Sequence, residues 1–241
     1  MKTICLWIAC FAALSTTAQS TVNKSYPVKP GQVVELSFDY PKVVKVSTWD
    51  KNEVSVIAHV NINDGENDSA FELEEKNTDG TLTIKNRIKD MDKLPRRYTV
   101  IENGKKTVYR SKEEFREFTS TNGFSNRITS NGVDMEITIE VKVPANGTTN
   151  IKSTYGMVEL VDFNTSTNVD ATYGGIDATL STAKTGKLKA TTSYGQIFTN
   201  LDLTVTERTE KDFFSSFTAE PGKGPSYTFK STYGKIYLRK P

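Results

Sequence analysis

A chain of 241 residues with 36% hydrophobic and 25% charged residues has the composition of an ordinary globular protein and enough length to bury a core. Its 31 Lys and Arg stand against 29 Asp and Glu, a net charge of +2, so the basic excess of a nucleic-acid binder or polybasic membrane anchor is absent. A single histidine, His59, leaves no material for His-rich metal sites and little for His-dependent acid–base catalysis.

Residues 1–18 read as a signal peptide: Lys2, an apolar run from Ile4 to Leu14, then Thr16-Thr17-Ala18 as a small-residue cleavage site. The run is 11 residues long, against the ~20 needed to span a membrane, so no transmembrane anchor is expected in the mature chain. Both cysteines, Cys5 and Cys10, fall inside it. An exported chain without disulfides depends on packing and backbone hydrogen bonds.

Residues 19–149 form a β-rich part. Tyr26 to Lys29, Val33 to Phe38, Val43 to Ser47, Val54 to Val60, Ala70 to Glu75 and Leu82 to Asn86 are short strand-like runs. Pro30-Gly31, Trp49-Asp50, Asp64-Gly65 and Asp79-Gly80 separate them as turn signals. A charged insertion, 87–130, follows. Its Asn103-Gly104 pair suits a tight hairpin turn, and Ser111-Lys112-Glu113-Glu114 resembles a capping box opening a short helix through Phe118. We expect Phe115 and Phe118 to dock on the main body. Arg96, Arg97, Lys105, Lys106 and Arg110 in this stretch are the candidate contacts for an acidic ligand or partner. Val133 to Val143 then alternates strictly through Val133, Met135, Ile137, Ile139, Val141 and Val143, a strand leading into the last part.

In residues 150–241 the dipeptide Tyr-Gly recurs at Tyr155-Gly156, Tyr173-Gly174, Tyr194-Gly195 and Tyr233-Gly234, with spacings of 18, 21 and 39 residues. A β-branched residue stands three places after each tyrosine (Val158, Ile176, Ile197, Ile236), and a small one two places before it (Ser153, Ala171, Thr192, Ser231). The longest spacing leaves room for an unmarked unit near Phe213-Phe214. Alternation of period two on both sides indicates strands, and the parity change at glycine indicates a bulge or corner that needs φ > 0 or a missing Cβ. Such units cannot bury an apolar face alone. The fold class is therefore all-β, a parallel β-solenoid with rungs of about 20 residues stacked at ~4.8 Å, its tyrosines and β-branched residues forming columns.

The Val141-x-Val143-Pro144-x-x-Gly147 segment followed by Tyr-Gly-x-Ile units resembles the bacterial "putative adhesin" family of β-strand-repeat domains of unknown function. The resemblance implies a right-handed, single-stranded parallel β-helix in the periplasm, on the cell surface or outside the cell. Adhesion is that family's conjectured role, and it brings no catalytic residue.

Other motifs give less. Gly222-Lys223-Gly224-Pro225 lacks the spacing of a phosphate loop, Asp64-Gly65-Glu66-Asn67-Asp68 does not match an EF-hand, and Glu72 and Glu74 read as a water-facing strand edge. No catalytic, cofactor or metal residue is expected. The reading is a non-enzymatic protein of the cell envelope or surface that binds a glycan or a protein partner, with no nucleic acid. The alternative is a β-helix polysaccharide lyase or hydrolase acting on acidic glycans, for which Asp162, Asp170, Asp177 and Asp202 would have to converge. If Ile176 occupies an interior column, Ile176→Asp buries an unpaired carboxylate and costs several kcal/mol. A melting curve checks this, and an unchanged Tm would place Ile176 in solvent.

Overall fold

The computed structural model describes residues 19–78, 80–122 and 127–241. The expected signal peptide at 1–18 and Asp79 of the Asp79-Gly80 turn lie outside the described residues. The β-rich part from residue 19 contains β1 (Ser20–Pro27), β2 (Val33–Phe38), β3 (Val43–Trp49), β4 (Glu53–Ile62), β5 (Phe71–Thr78) and β6 (Thr81–Ile88). The insertion holds β7 (Arg97–Glu102), β8 (Lys105–Tyr109), α1 (Lys112–Asn122) and β9 (Arg127–Gly132), after which β10 (Met135–Pro144) returns to the main body. The repeat region comprises β11 (Thr148–Ser153), β12 (Met157–Leu160), β13 (Ser166–Ala171), β14 (Ile176–Thr179), β15 (Leu188–Thr192) and β16 (Ile197–Thr199). It ends with β17 (Val205–Lys211), β18 (Phe214–Ala219), β19 (Tyr227–Ser231) and β20 (Ile236–Arg239).

These strands build two large sheets. Sheet A runs β1-β4-β10-β3-β12-β14-β20-β16, and sheet B runs β17-β18-β15-β19-β13-β11-β2-β6-β5. Most pairings are parallel, neither sheet closes into a barrel, and the antiparallel pairs of the main body lie toward the two ends of the stack. Each rung crosses from sheet B to sheet A through the Tyr-Gly corner: β11 to β12, β13 to β14, β15 to β16 and β19 to β20. The alternation read in the sequence puts one set of side chains inside. Leu36, Ile151, Val169, Phe229 and Ala190 line sheet B from within, and Val44, Val158, Ile176 and Ile236 line sheet A, all within one core. Ile176 is fully buried, as the column argument requires.

The corners explain why the repeat needs glycine. A Cβ on Gly174 would stand 1.9 Å from the Gly156 carbonyl oxygen, and one on Gly195 would stand 1.9 Å from that of Gly234. The residue serves close approach of backbone to backbone; neither glycine has a positive φ. At this distance the rungs stay hydrogen-bonded through the bend, with Tyr173 N donating to Thr154 O (2.8 Å), Tyr233 N to Thr172 O (2.9 Å) and Tyr194 N to Thr232 O (2.8 Å). Where the small residue two places before the tyrosine is Ser or Thr, as in every unit but that of Ala171, it has its own task. Ser153 Oγ donates to Gly156 O and Ser231 Oγ to Gly174 O, both at 3.0 Å, satisfying carbonyls that burial would otherwise leave unpaired.

Rung order departs from chain order. The last rung, β19–β20, lies between β13–β14 and β15–β16, so Tyr233 separates Tyr173 from Tyr194, where chain order would have made those two neighbours. The 39-residue spacing is therefore no pair of successive rungs. Residues 205–219 form an antiparallel β17–β18 hairpin on β15, and Phe213 reaches the aromatic row from its turn, at φ +58°. The insertion is a three-stranded sheet, β8-β7-β9, with α1 against it, and its Asn103-Gly104 turn has the paired positive φ of a tight hairpin. Phe115 stacks on Tyr98 at 5.1 Å and Phe118 meets Tyr109 at 5.1 Å, so both rings pack within the insertion and not on the main body.

Two outcomes test this packing. Gly174→Ala should lower Tm sharply, whereas Gly132→Ala, with nothing within 4 Å of its added methyl, should leave Tm nearly unchanged; equal melting of both would remove the close-approach argument. Tyr227, whose buried hydroxyl donates to Phe163 O at 2.9 Å, is pushed up to about 12 by burial. Because the folded state holds the neutral phenol, its contribution is complete below the ordinary tyrosine value near ~10 and is lost as pH rises through about 12. Tyr227→Phe should flatten that part of the alkaline stability profile, measured by denaturant unfolding.

Candidate functional site

The surface has three places that could meet a partner: the corner ladder, the insertion and the outer face of sheet B. Stacking of the corners lines up Tyr40, Tyr155, Tyr173, Tyr233 and Tyr194, with Phe213 at the end. Ring centroids in the four-tyrosine run from Tyr155 to Tyr194 lie 5.1 to 5.2 Å apart, and its planes are within 12° of parallel. The four repeat tyrosines are each about half exposed, but neighbours cover their faces, so the ladder shows solvent its edges and hydroxyls. Tyr40 has no glycine after it and was not visible as a repeat. Its corner, Asp39-Tyr40-Pro41, uses a positive φ at Tyr40 instead.

The basic insertion residues are mostly paired. Arg97 is buried and its guanidinium meets Glu66 at 2.5 Å, while Arg110 reaches the other oxygen of the same carboxylate at 2.9 Å. Lys106 bridges Asp134 at 2.6 Å and Glu136 at 3.0 Å, and its hydrogen bond holds the Glu136 carboxyl below its ordinary value. Of the five candidates only Arg96 and Lys105 carry no ion pair among the described residues, so the five do not form one free cationic patch. Several acidic groups noted in the sequence are likewise committed. Asp68 accepts the Ile62 amide at 2.7 Å, and Arg87 joins Glu72 at 2.5 Å and Glu74 at 2.7 Å. His59 sits on β4 with Nδ1 3.3 Å from the Thr21 hydroxyl. Asp170, Asp177 and Asp202 pair with Lys230, Arg239 and Lys240, Asp162 lies in the turn after β12, and Asp170 and Asp177 belong to opposite sheets, so the four carboxylates do not form one cluster. Among the described residues no three His, Cys, Asp or Glu side chains come together as a metal site.

The outer face of sheet B is the least committed. Parallel register sets two rows of side chains across β6, β2, β11, β13, β19 and β15. One row reads Lys85, Ser37, Lys152, Asp170, Lys230 and Thr191; the other reads Thr83, Glu35, Asn150, Asn168, Thr228 and Lys189. From β6 to β19 these rows line an open groove of about 470 Å³. Asn168 donates to Asn150 at 2.9 Å and Lys230 meets Asp170 at 3.1 Å, while Lys85 and Lys152 have no ion pair among the described residues. This site was missed in the sequence because its residues come from five strands. Asn150 and Asn168 each stand five residues before a repeat tyrosine, Tyr155 and Tyr173.

No family model matches the chain, and no curated protein matches it. Among solved structures, a "putative cell adhesion protein" from Clostridium sporogenes is similar over 92% of this chain and all of its own, at 9% identity and a TM-score of 0.48. A "putative adhesin" from Bacteroides fragilis is similar over 93% of this chain and 99% of its own, at 11% identity and a TM-score of 0.22. Both likenesses are distant. No helix among the described residues is long and apolar enough to cross a membrane.

Proposed function

We propose that this is an exported, non-enzymatic β-solenoid protein of the cell envelope or surface, with 1–18 as its signal peptide and a right-handed, single-stranded course through its rungs. It binds an extended glycan along the outer face of sheet B. The observation that carries this reading is the groove itself: two straight rows of amides, hydroxyls, ammonium groups and the carboxylates of Glu35 and Asp170, five strands wide, span about 19 Å at the ~4.8 Å strand spacing. A linear polysaccharide repeats its hydroxyls and carboxylates at comparable intervals, so successive sugars meet equivalent positions on successive rungs. Lys85 and Lys152, with no ion pair among the described residues, favour an anionic chain. Fixed ladder hydrogen bonds hold both rows in place before binding, which lowers the ordering cost.

The test is affinity for a uronic-acid polymer and for a neutral glucan, at low and high salt, for wild type and for Lys85→Ser with Lys152→Ser. Binding of the acidic polymer should weaken with salt, because screening shortens the reach of exposed charges to ~8 Å at physiological ionic strength. It should weaken also in the double variant at unchanged Tm. Equal affinity under all these conditions, or release of new reducing or unsaturated ends, would overturn the reading.

A further inference from the structure

We infer that the free edge of β16 takes up an extended strand from a partner polypeptide, a site separate from the groove on sheet B. In a parallel pair, alternate residues of a strand bond the same neighbour. Ile236 N donates to Gln196 O at 2.9 Å and Asn200 N to Leu238 O at 3.3 Å, so Phe198, between them, directs its backbone toward β20. The N–H and C=O groups of Ile197 and Thr199 then point to the opposite side, where sheet A ends. Four backbone groups are left there without a strand partner among the described residues.

Other described edges are protected and this one is not. Strands β1, β5, β8, β9 and β17 carry Lys24 and Pro27, Glu72 to Lys76, Lys105 and Lys106, Arg127, and Glu207 to Lys211 respectively. Charges and proline at such positions discourage pairing with another chain. Strand β16, Ile197–Thr199, has neither. Its surroundings are apolar and open: Tyr194, Phe198, Val205, Phe213 and Phe214 are all exposed at this end of the stack.

The two sheets also end unevenly. Sheet B continues past β15 with β18 and β17, while sheet A stops at β16, opposite β15. A slot of about 150 Å³ lies beside the edge, lined by Ile197, Leu201, Leu203 and Phe217 and bounded by Arg208 and Glu210. The overhang decides the occupant. A second copy bringing its own sheet A to β16 would drive its sheet B into β18 and β17, whereas a lone extended segment fits between. Side-chain requirements follow from the existing neighbour. Phe198 stacks on Tyr237 at 5.3 Å, has the Lys235 ammonium 5.7 Å from its ring centroid and stays exposed, so the incoming strand needs an aromatic side chain outward and aliphatic ones inward, as in Ile236-Tyr237-Leu238.

The probe is a labelled synthetic peptide with the sequence of residues 232–240, measured by fluorescence anisotropy on the purified protein, with amide hydrogen exchange read at the same time. Saturable binding that slows exchange at Ile197 and Thr199 is expected, and it should be lost when the peptide carries Tyr237→Pro. Phe198→Lys should abolish binding. Thr199→Lys, which charges the same edge without removing a ring, should do so too at wild-type Tm. Glycan binding on sheet B should persist in both. Absence of saturation at ~1 mM, the weak end of specific affinity, would overturn the inference. So would protection elsewhere, unchanged affinity in both variants, or a protein dimer that Phe198→Lys dissolves.

Discussion

Backbone-to-backbone approach at the Tyr-Gly corner is the constraint on which the rest of the structure depends. Strands in a sheet sit ~4.8 Å apart. A chain that turns from one sheet to the other can keep that spacing through the turn only if nothing projects between rungs. Glycine supplies the missing volume, the preceding Ser or Thr hydroxyl supplies a partner for the corner carbonyl, and the tyrosine between them is carried outward. Stacking of the rings is a consequence of the spacing. Once the corners are in register the aliphatic columns of both sheets follow, because side chains alternate from a fixed point.

The same logic separates the parts of the surface. A repeating interior leaves a repeating exterior, so sheet B presents equivalent polar positions on successive rungs, and Lys85 and Lys152 there carry no ion pair among the described residues. The insertion behaves differently. Its cations meet acids of the main body, with Arg97 and Arg110 on Glu66 and Lys106 on Asp134 and Glu136, so its charge serves mainly to fix the small sheet in place. Exposed pairs of this kind contribute little each, about 0 to 1 kcal/mol, and the buried Arg97 guanidinium would be costly to leave unpaired.

Much of this was legible in the sequence wherever information is local. The alternation of Ile137, Ile139, Val141 and Val143, the Asn103-Gly104 turn and the capping serine at 111 each state their own geometry within a few residues. Ser111 Oγ does accept the Glu114 amide, at 3.1 Å. The repeat gave the corners and the columns, since glycine recurs only where backbone must approach backbone. Rung order was not legible, because Ile197 and Ile236 present the same chemistry to a neighbour and nothing local says which rung lies beside Ile176. Tyr40 was hidden by a corner built on a positive φ in place of glycine. The sheet B groove was hidden for a further reason: Lys85 and Lys152 meet across β2 only after the strands have paired.

Amide hydrogen exchange at the corners tests the central claim most directly. If the corners are continued ladder and not loop, the amides of Thr172, Tyr173, Thr232, Tyr233 and Tyr194 should exchange as slowly as those of Ile151 and Val169 in the adjoining strands, since each is bonded to the rung beside it. Corner amides exchanging as fast as those of the exposed strand β17 would contradict the account, because the rungs would then be joined only along their straight segments.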